Sequence, residues 1–151
     1  MPPAVIEFSK NYVFYSVVLA WFIAQTVKVI LGAVREKRFN FKWFVGTGGM
    51  PSSHAAAVTA LASSVGLYAG FHAPLFAVTL MFAIVVLFDA QGVRRSSGKQ
   101  AEILNRILDD IYWKRKIQED RLFELLGHTP IEILAGIAIG IFISLLCYRG
   151  G

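Results

Sequence analysis

The sequence predicts an all-α integral-membrane bundle of about four transmembrane helices plus an interfacial amphipathic helix. Two observations support this fold class. Of the 151 residues, 56% are apolar and only 17% are charged, which is unusual for a soluble domain. The apolar residues gather into four long stretches, and the one long polar segment carries apolar residues at helical spacing. Because no second compositional block is present, we expect residues 1–151 to form a single membrane domain.

The predicted spans cover residues 12–34, 55–70, 74–88 and 130–148. A hydrocarbon core of about 30 Å needs about 20 helical residues, so the first and last stretches are long enough and the middle two are marginal. Only residues 71–73 separate the middle two. This short connection predicts an antiparallel hairpin if both cross the membrane, and the alternative is a re-entrant pair.

The polar segment 94–127 is predicted to form the amphipathic helix. Its apolar residues at helical spacing are Ile103, Leu104, Ile107, Leu108 and Ile111. Trp113 and the three basic residues after it suit a helix lying in the interface against anionic lipid. Packing of this stripe on the spans or on a second copy of the chain is the alternative.

The basic residues predict which side faces the cytoplasm. Segments 35–42 and 94–121 share a side in a four-span chain, and together they hold 12 of the 15 basic residues. Short cytoplasmic loops are rich in Lys and Arg, so we expect both segments to be cytoplasmic. If some of these cations bind a phosphate, they are weaker evidence that this side is cytoplasmic. The inference that the two segments lie on the same side of the membrane is unaffected.

Three polar clusters fall at span ends on this shared side, at residues 48–54, 89–95 and 127–132. In the first, Gly49 belongs to a glycine-rich turn that leads into a helix start through Ser52 and Ser53. Such a turn presents several N–H groups and a positive dipole end, which together favour an anion, with His54 beside it. Alternatively, Ser52 or Ser53 only caps the helix and His54 is an interfacial polar residue.

The second cluster contributes two adjacent guanidinium groups, Arg94 and Arg95, which can clamp a phosphate. Which of the two faces inward is open, and both can instead be anchors at the cytoplasmic interface. In the third cluster, His128 and Glu132 are four residues apart and share a helix face. The carboxylate can hold one imidazole nitrogen and leave the other as a base or nucleophile, or Glu132 can serve only a capping box with Thr129.

Three further residues bear on the site. Lys28 lies near the end of the first span, where a lysine either snorkels to the head groups or acts as an anion ligand. His72 falls at the opposite ends of the spans and is excluded from the site. Cys147 is the single cysteine, so no intrachain disulfide can form and a cysteine-based metal site is not indicated.

The clusters resemble those of a known family. Pro51-Ser52-Ser53-His54 looks like the Pro-Ser-Gly-His motif of type 2 phosphatidic acid phosphatases (PAP2) and vanadium haloperoxidases, and residues 128–136 are similar to their His-x-x-x-Asp motif. The chain more closely resembles the divergent branch of that superfamily. These are small membrane proteins with the patterns Gly-Gly-Met-Pro-Ser-Ser-His, Asp-Ala-x-Gly-Val-Arg-Arg and Leu-Gly-His-x-Pro-x-Glu. The resemblance covers residues 24 to about 140.

The resemblance implies that His128 is the nucleophile, forming a phosphohistidine, and that Glu132 orients it. His54 would be the general acid and then the base that activates water. The phosphoryl oxygens would be held by the groups of the glycine-rich turn and by cations, namely Gly49, Ser52, the Ser53 backbone, Arg94 or Arg95, Lys28 and Arg35. No metal and no cofactor are implied.

The sequence departs from the superfamily pattern in four places, of which the first is Glu132, which stands where the His-x-x-x-Asp motif has Asp and is one methylene longer. Ser53 stands where the pattern has Gly, and Leu122 stands six residues before His128, where a Ser-Arg pair normally ends. The Lys-x6-Arg-Pro motif is matched only by Lys28 and Arg35; Lys37 and Arg38 are equally plausible ligands.

These observations predict a metal-independent membrane phosphatase for a lipid phosphate or pyrophosphate, because a site at helix ends beside acyl chains favours a lipid over a soluble ester. The alternative is a catalytically inactive protein that binds phospholipid head groups or acts as a scaffold. An anion transporter would need more polar groups in the spans than Gln25 and Lys28. Acidic residues among the basic ones argue against a nucleic acid partner, and a homodimer is one way to complete so small a bundle.

Overall fold

The computed structural model describes residues 11–37, 49–91 and 128–148, together with residues 100, 102–105 and 107. Its main helices are α1 (Tyr12–Glu36), α2 (Ser53–Ala69), α3 (Pro74–Gln91) and α4 (Pro130–Cys147). Three helices in this part of the chain are long and apolar enough to cross a membrane, over Tyr12–Arg35, Pro74–Gln91 and Pro130–Cys147. The prediction of an all-α membrane fold is therefore confirmed, with three candidate spans rather than four.

The helix that falls short is the central one. α2 has 17 residues, and it packs against α1, α3 and α4, whereas α1 and α3 make no contact with each other in the described ranges. Nine residues of α2 are buried, but α3 buries only Ala83 and Ala90. The protein rather than lipid therefore surrounds α2, whereas α3 is covered on few sides.

The second and third helices form the predicted antiparallel hairpin. Ala55 packs near Ala90, while Val58 and Ala62 pack near Ala83, so the two chains run in opposite directions. The turn between them uses Gly70, whose φ of +90° lies in the region that favours glycine. Because the two helices are antiparallel, the start of α2 and the end of α3 lie at the same end of the bundle.

Small residues bring α1, α2 and α4 close together. The cluster between these helices consists of Ala20, Ala24, Ala56, Ala60 and Ile143. Membrane helices associate through such small side chains, because apolar lipid gives no hydrophobic gain for burying large ones. On α4, a Cβ at Gly136 or Gly140 would meet the backbone of α2 at 2.4 or 2.6 Å. The α2–α4 interface is therefore a contact between backbones.

The two ends of the bundle differ in chemistry. At the end with the α2–α3 turn, Tyr68 stacks on Tyr12 with ring centroids 5.9 Å apart and contacts Tyr148 edge-on at 5.3 Å. Tyrosine is typical of the membrane interface, so we expect these rings to lie at one boundary of the bilayer. His72 lies in this turn and is exposed, at the end where the sequence placed it. The described residues of the polar clusters lie at the other end.

The predicted amphipathic segment 94–127 is described only in part, and residues 100, 102–105 and 107 are helical. Its apolar residues Ile103, Leu104 and Ile107 are 57%, 49% and 46% exposed. About half of each side chain is thus open to a covering surface, and lipid, the spans and a second copy of the chain all stay predictions for what covers it. The rest of the predicted segment lies outside the described residues.

Candidate functional site

A serine cap begins α2 at the polar end. The Ser52 hydroxyl oxygen accepts a hydrogen bond from the Ala55 N–H at 3.3 Å, and Ser52 has extended backbone. Ser52 rather than Ser53 is therefore the cap, and both serine side chains are buried. The turn ahead of the cap contains Gly49, whose φ is +86°, so the expected glycine-dependent backbone is present. We refer to residues 49–52 as the glycine turn.

The fourth helix begins with a complete capping box. The Glu132 N–H donates to the Thr129 hydroxyl oxygen at 3.4 Å, and the Thr129 N–H donates to Glu132 Oε2 at 3.0 Å. Pro130 occupies the first helical turn, where its missing N–H costs nothing. Glu132 therefore forms the capping box with Thr129 that the sequence analysis gave as its alternative role.

Glu132 also contacts the histidine that precedes this helix. His128 Nδ1 lies 3.0 Å from the same oxygen, Oε2, that caps the helix, and His128 is only 3% exposed. An ionised carboxylate can only accept hydrogen bonds, so the contact places a proton on Nδ1. In the neutral imidazole the lone pair then lies on Nε2. The two interpretations of Glu132 are therefore compatible, and one oxygen serves both.

Backbone hydrogen bonds join the clusters to each other. The Ser52 N–H donates to the Glu132 carbonyl oxygen at 3.0 Å, and the His128 N–H donates to the Ala90 carbonyl oxygen at 3.2 Å. The first bond ties the start of α2 to the start of α4, and the second ties His128 to the last turn of α3. The glycine turn, His128 and Glu132 thus share one end of the bundle, where two helix N-termini add positive potential.

The lysine of α1 lies inside this group. Lys28 is 8% exposed, and its charge interacts with that of Glu132. The backbone of the glycine turn covers its stem, since a Cβ at Gly49 would lie 3.5 Å from Lys28 Cγ. A snorkelling lysine would extend its ammonium away from the protein toward the head groups, so the burial of Lys28 among site residues favours the anion-ligand interpretation.

The structure places His54 and Ser53 on different sides of α2. Ser53 shares its helix face with Ala56 and Ala60, which pack toward α1. His54 is exposed and lies one turn before Val58, which packs toward α3. His54 and His128 therefore lie at the same end of the bundle, and the backbone of His128 is bonded to the last turn of α3.

Of the predicted arginine ligands, only Arg35 lies in the described part of the chain, and it is not brought into this group. Arg35 is exposed and lies seven residues, or about 10 Å of helix, beyond Lys28. Arg94 and Arg95 lie outside the described residues, as do Arg38 and most of the second cluster. The phosphate-binding roles of these four arginines stay predictions.

Sequence reasoning missed one feature of this site, the contact of Gly136 with Ser52. A Cβ at Gly136 would lie 2.4 Å from the Ser52 carbonyl oxygen. Gly136 stands four residues after Glu132, and a glycine on the same helix face as a candidate site residue was the available signal.

The site can be compared with known proteins. A model of the "Divergent PAP2 family" matches residues 9–143. The chain is 38% identical over 151 residues to "Uncharacterized membrane protein YuiD" of Bacillus subtilis (strain 168), with 93% of this chain and 96% of that protein covered. No solved structure matches the chain. The family match covers two of the three candidate spans, most of the third and every described site residue, so the chain is a membrane protein that belongs to the divergent PAP2 family.

Proposed function

We propose that this protein is a metal-independent membrane phosphatase that hydrolyses a lipid phosphate or pyrophosphate through a phosphohistidine on His128. The observation that carries the proposal is the hydrogen bond between His128 Nδ1 and Glu132 Oε2 at 3.0 Å. It leaves Nε2 as the nucleophilic nitrogen, and the carboxylate stabilises the positive charge that the ring gains as it attacks phosphorus.

The proposed reaction has two steps. Nε2 of His128 forms a bond to phosphorus while the bond from phosphorus to the lipid oxygen breaks, and His54 gives its proton to that oxygen. In the second step His54 takes a proton from water, the resulting hydroxide oxygen bonds to phosphorus, and the N–P bond breaks to release inorganic phosphate. His54 is then protonated for the next cycle.

Charge at the site supports phosphoryl binding in this scheme. Phosphoryl transfer depends mostly on positioning and on neutralising the equatorial oxygens. Lys28 supplies a cation beside Glu132, and the start of α2 supplies N–H groups that have no partner within the helix. Arg94 or Arg95, after the end of α3, would add the bidentate contact. We further propose that this end faces the cytoplasm.

One observation favours a second function, head-group binding without turnover. The Ser52 N–H and hydroxyl oxygen are already engaged, by the Glu132 carbonyl and the Ala55 N–H. The Ser52 N–H is then not available to stabilise the charge that grows on a phosphoryl group in the transition state. This protein would bind the same lipids but leave them intact.

The two functions are separated by phosphate release from a defined lipid panel. The purified protein in nanodiscs is given phosphatidate, phosphatidylglycerophosphate or an isoprenyl pyrophosphate, with a chelator present. We expect turnover of at least one lipid by the wild type, loss of turnover with retained lipid binding in His128→Ala, and acid-labile phosphate on His128. His72→Ala is the matched control, because this histidine lies at the opposite end of the bundle. Lipid binding without turnover by the wild type would favour the second function.

A further inference from the structure

Gly136 lies where α2 and α4 approach most closely at the site. A Cβ there would lie 2.4 Å from the Ser52 carbonyl oxygen, 2.8 Å from the Ala55 Cβ and 3.2 Å from the Ala56 nitrogen. Two of these three atoms belong to the backbone of α2, which cannot move aside by changing a rotamer. Any residue other than glycine must therefore separate the two helix starts.

This close approach makes a particular hydrogen bond possible. In a helix the Glu132 carbonyl pairs with the N–H of the residue four positions later, which is Gly136. A carbonyl oxygen has a second lone pair, and the Ser52 N–H bonds to it at 3.0 Å. The contact with Gly136 and the bond to Glu132 thus depend on one separation between the α2 and α4 backbones.

Glu132 connects this backbone bond to the proposed nucleophile. Its carbonyl holds Ser52, and its side chain holds His128 Nδ1 at 3.0 Å. We infer that Gly136 is a positioning residue, whose missing side chain sets the distance between the glycine turn and His128 and so the placement of a bound phosphoryl group against the attacking nitrogen. This inference rests on the proposed function.

The size of the effect follows from the clash. A carbon and a carbonyl oxygen settle at about 3.3 to 3.6 Å, so a Cβ that starts at 2.4 Å forces the backbones apart by about 1 Å. The Ser52–Glu132 bond would then lengthen beyond hydrogen-bonding distance. A misplacement of about 1 Å can cost about 100-fold in rate, and we expect a loss of that order in kcat for Gly136→Ala, with a smaller change in KM.

Gly140 provides a matched control. A Cβ at Gly140 would lie 2.6 Å from the Ala56 carbonyl oxygen and 2.9 Å from the Ala60 nitrogen, a clash of similar severity with the same helix. It acts about 6 Å deeper along α4, away from the bond between Ser52 and Glu132. Both variants should lose thermal stability, but Gly140→Ala should keep most of the wild-type kcat. Equal losses of kcat in two folded variants would overturn the inference, because Gly136 would then serve packing alone.

A second measurement does not depend on turnover. Protein labelled with ¹⁵N-serine, with the Ser52 signal assigned by its disappearance in Ser52→Ala, reports hydrogen exchange of the Ser52 amide. We expect Gly136→Ala to speed this exchange at least tenfold and Gly140→Ala to leave it close to wild type, because only the former breaks the bond to Glu132. If the wild type turns over no lipid, the proposed function fails while this arm still tests Gly136. Unchanged Ser52 exchange in Gly136→Ala would overturn the inference.

If Gly136→Ala does not fold, a double variant can take its place. Ala55→Gly combined with Gly136→Ala removes the side-chain part of the clash, at 2.8 Å, and retains the clash with the Ser52 oxygen. This double variant should fold more readily than Gly136→Ala and should show the same loss of kcat and of Ser52 protection. Wild-type values for both would overturn the inference.

Discussion

Replacing Glu132 by glutamine separates its two roles. Gln keeps the length and one carbonyl oxygen of the side chain but removes the negative charge. In the wild type, Oε2 accepts from the Thr129 N–H and contacts His128 Nδ1, both at 3.0 Å. The amide oxygen can accept the same two hydrogen bonds, so Glu132→Gln changes the strength of both bonds more than their geometry.

The magnitude follows from the change in charge. A hydrogen bond to a charged group contributes about 1 to 2 kcal/mol more than a neutral one, and Glu132 is only 20% exposed, so solvent screens little of this difference. The bond to Thr129 acts on the stability of the folded protein. The bond to His128 also stabilises the positive charge that develops during attack, and a loss of about 1 to 2 kcal/mol there lowers kcat about 5- to 30-fold.

The assay compares kcat and melting temperature in two variants. Thr129→Ala removes the hydroxyl that accepts from the Glu132 N–H but leaves the carboxylate beside His128. It should lower stability by about 1 kcal/mol with little change in kcat, whereas Glu132→Gln should lower kcat. If both variants lose stability and neither loses activity, Glu132 only caps the helix and the reasoning is refuted.

Three further predictions concern single positions. His54→Ala should lower kcat by about 100- to 10,000-fold, the usual range for a general acid, as measured by phosphate release; retained turnover would exclude His54 from proton transfer. Lys28→Met should weaken inhibition by vanadate, because it removes the buried cation beside Glu132, while Lys28→Arg should retain part of it; equal inhibition of all three proteins would contradict this role. Gly49→Ala should lower the melting temperature by an amount equivalent to about 1 to 2 kcal/mol, because φ is +86° there although the nearest Lys28 atom leaves room for a Cβ at 3.5 Å; an unchanged melting temperature would contradict the strain argument.

Local signals predicted much of the fold and part of the site. The periodicity and length of apolar stretches located α1, α3 and α4 to within a few residues, since a membrane helix is defined by its own composition. The capping box of Thr129 and Glu132 could also be predicted from local sequence, because both partners lie within one helical turn. The central position of α2 was not predicted, although the sequence did indicate that this span is marginal in length.

Contacts between distant residues were not predictable from one sequence. The Ser52 N–H bonds to a carbonyl 80 residues later, and neither residue type distinguishes this arrangement from a solvated helix end. The burial of Lys28 has the same origin. It depends on where α1 packs against the glycine turn, and no pattern within α1 shows that Gly49 will cover the lysine stem.

If Lys28 binds the phosphoryl group, as proposed, the reaction takes place some distance inside the end of α1. Lys28 precedes the end of α1 by eight residues, or about 12 Å, and it lies level with the glycine turn. A phosphoryl group bound there has a buried cation on the α1 side of α2 and the exposed His54 on the α3 side. If His54 protonates the departing oxygen, as proposed, the lipid body lies toward α3, where most side chains face the bilayer. The product alcohol can then leave directly into the membrane.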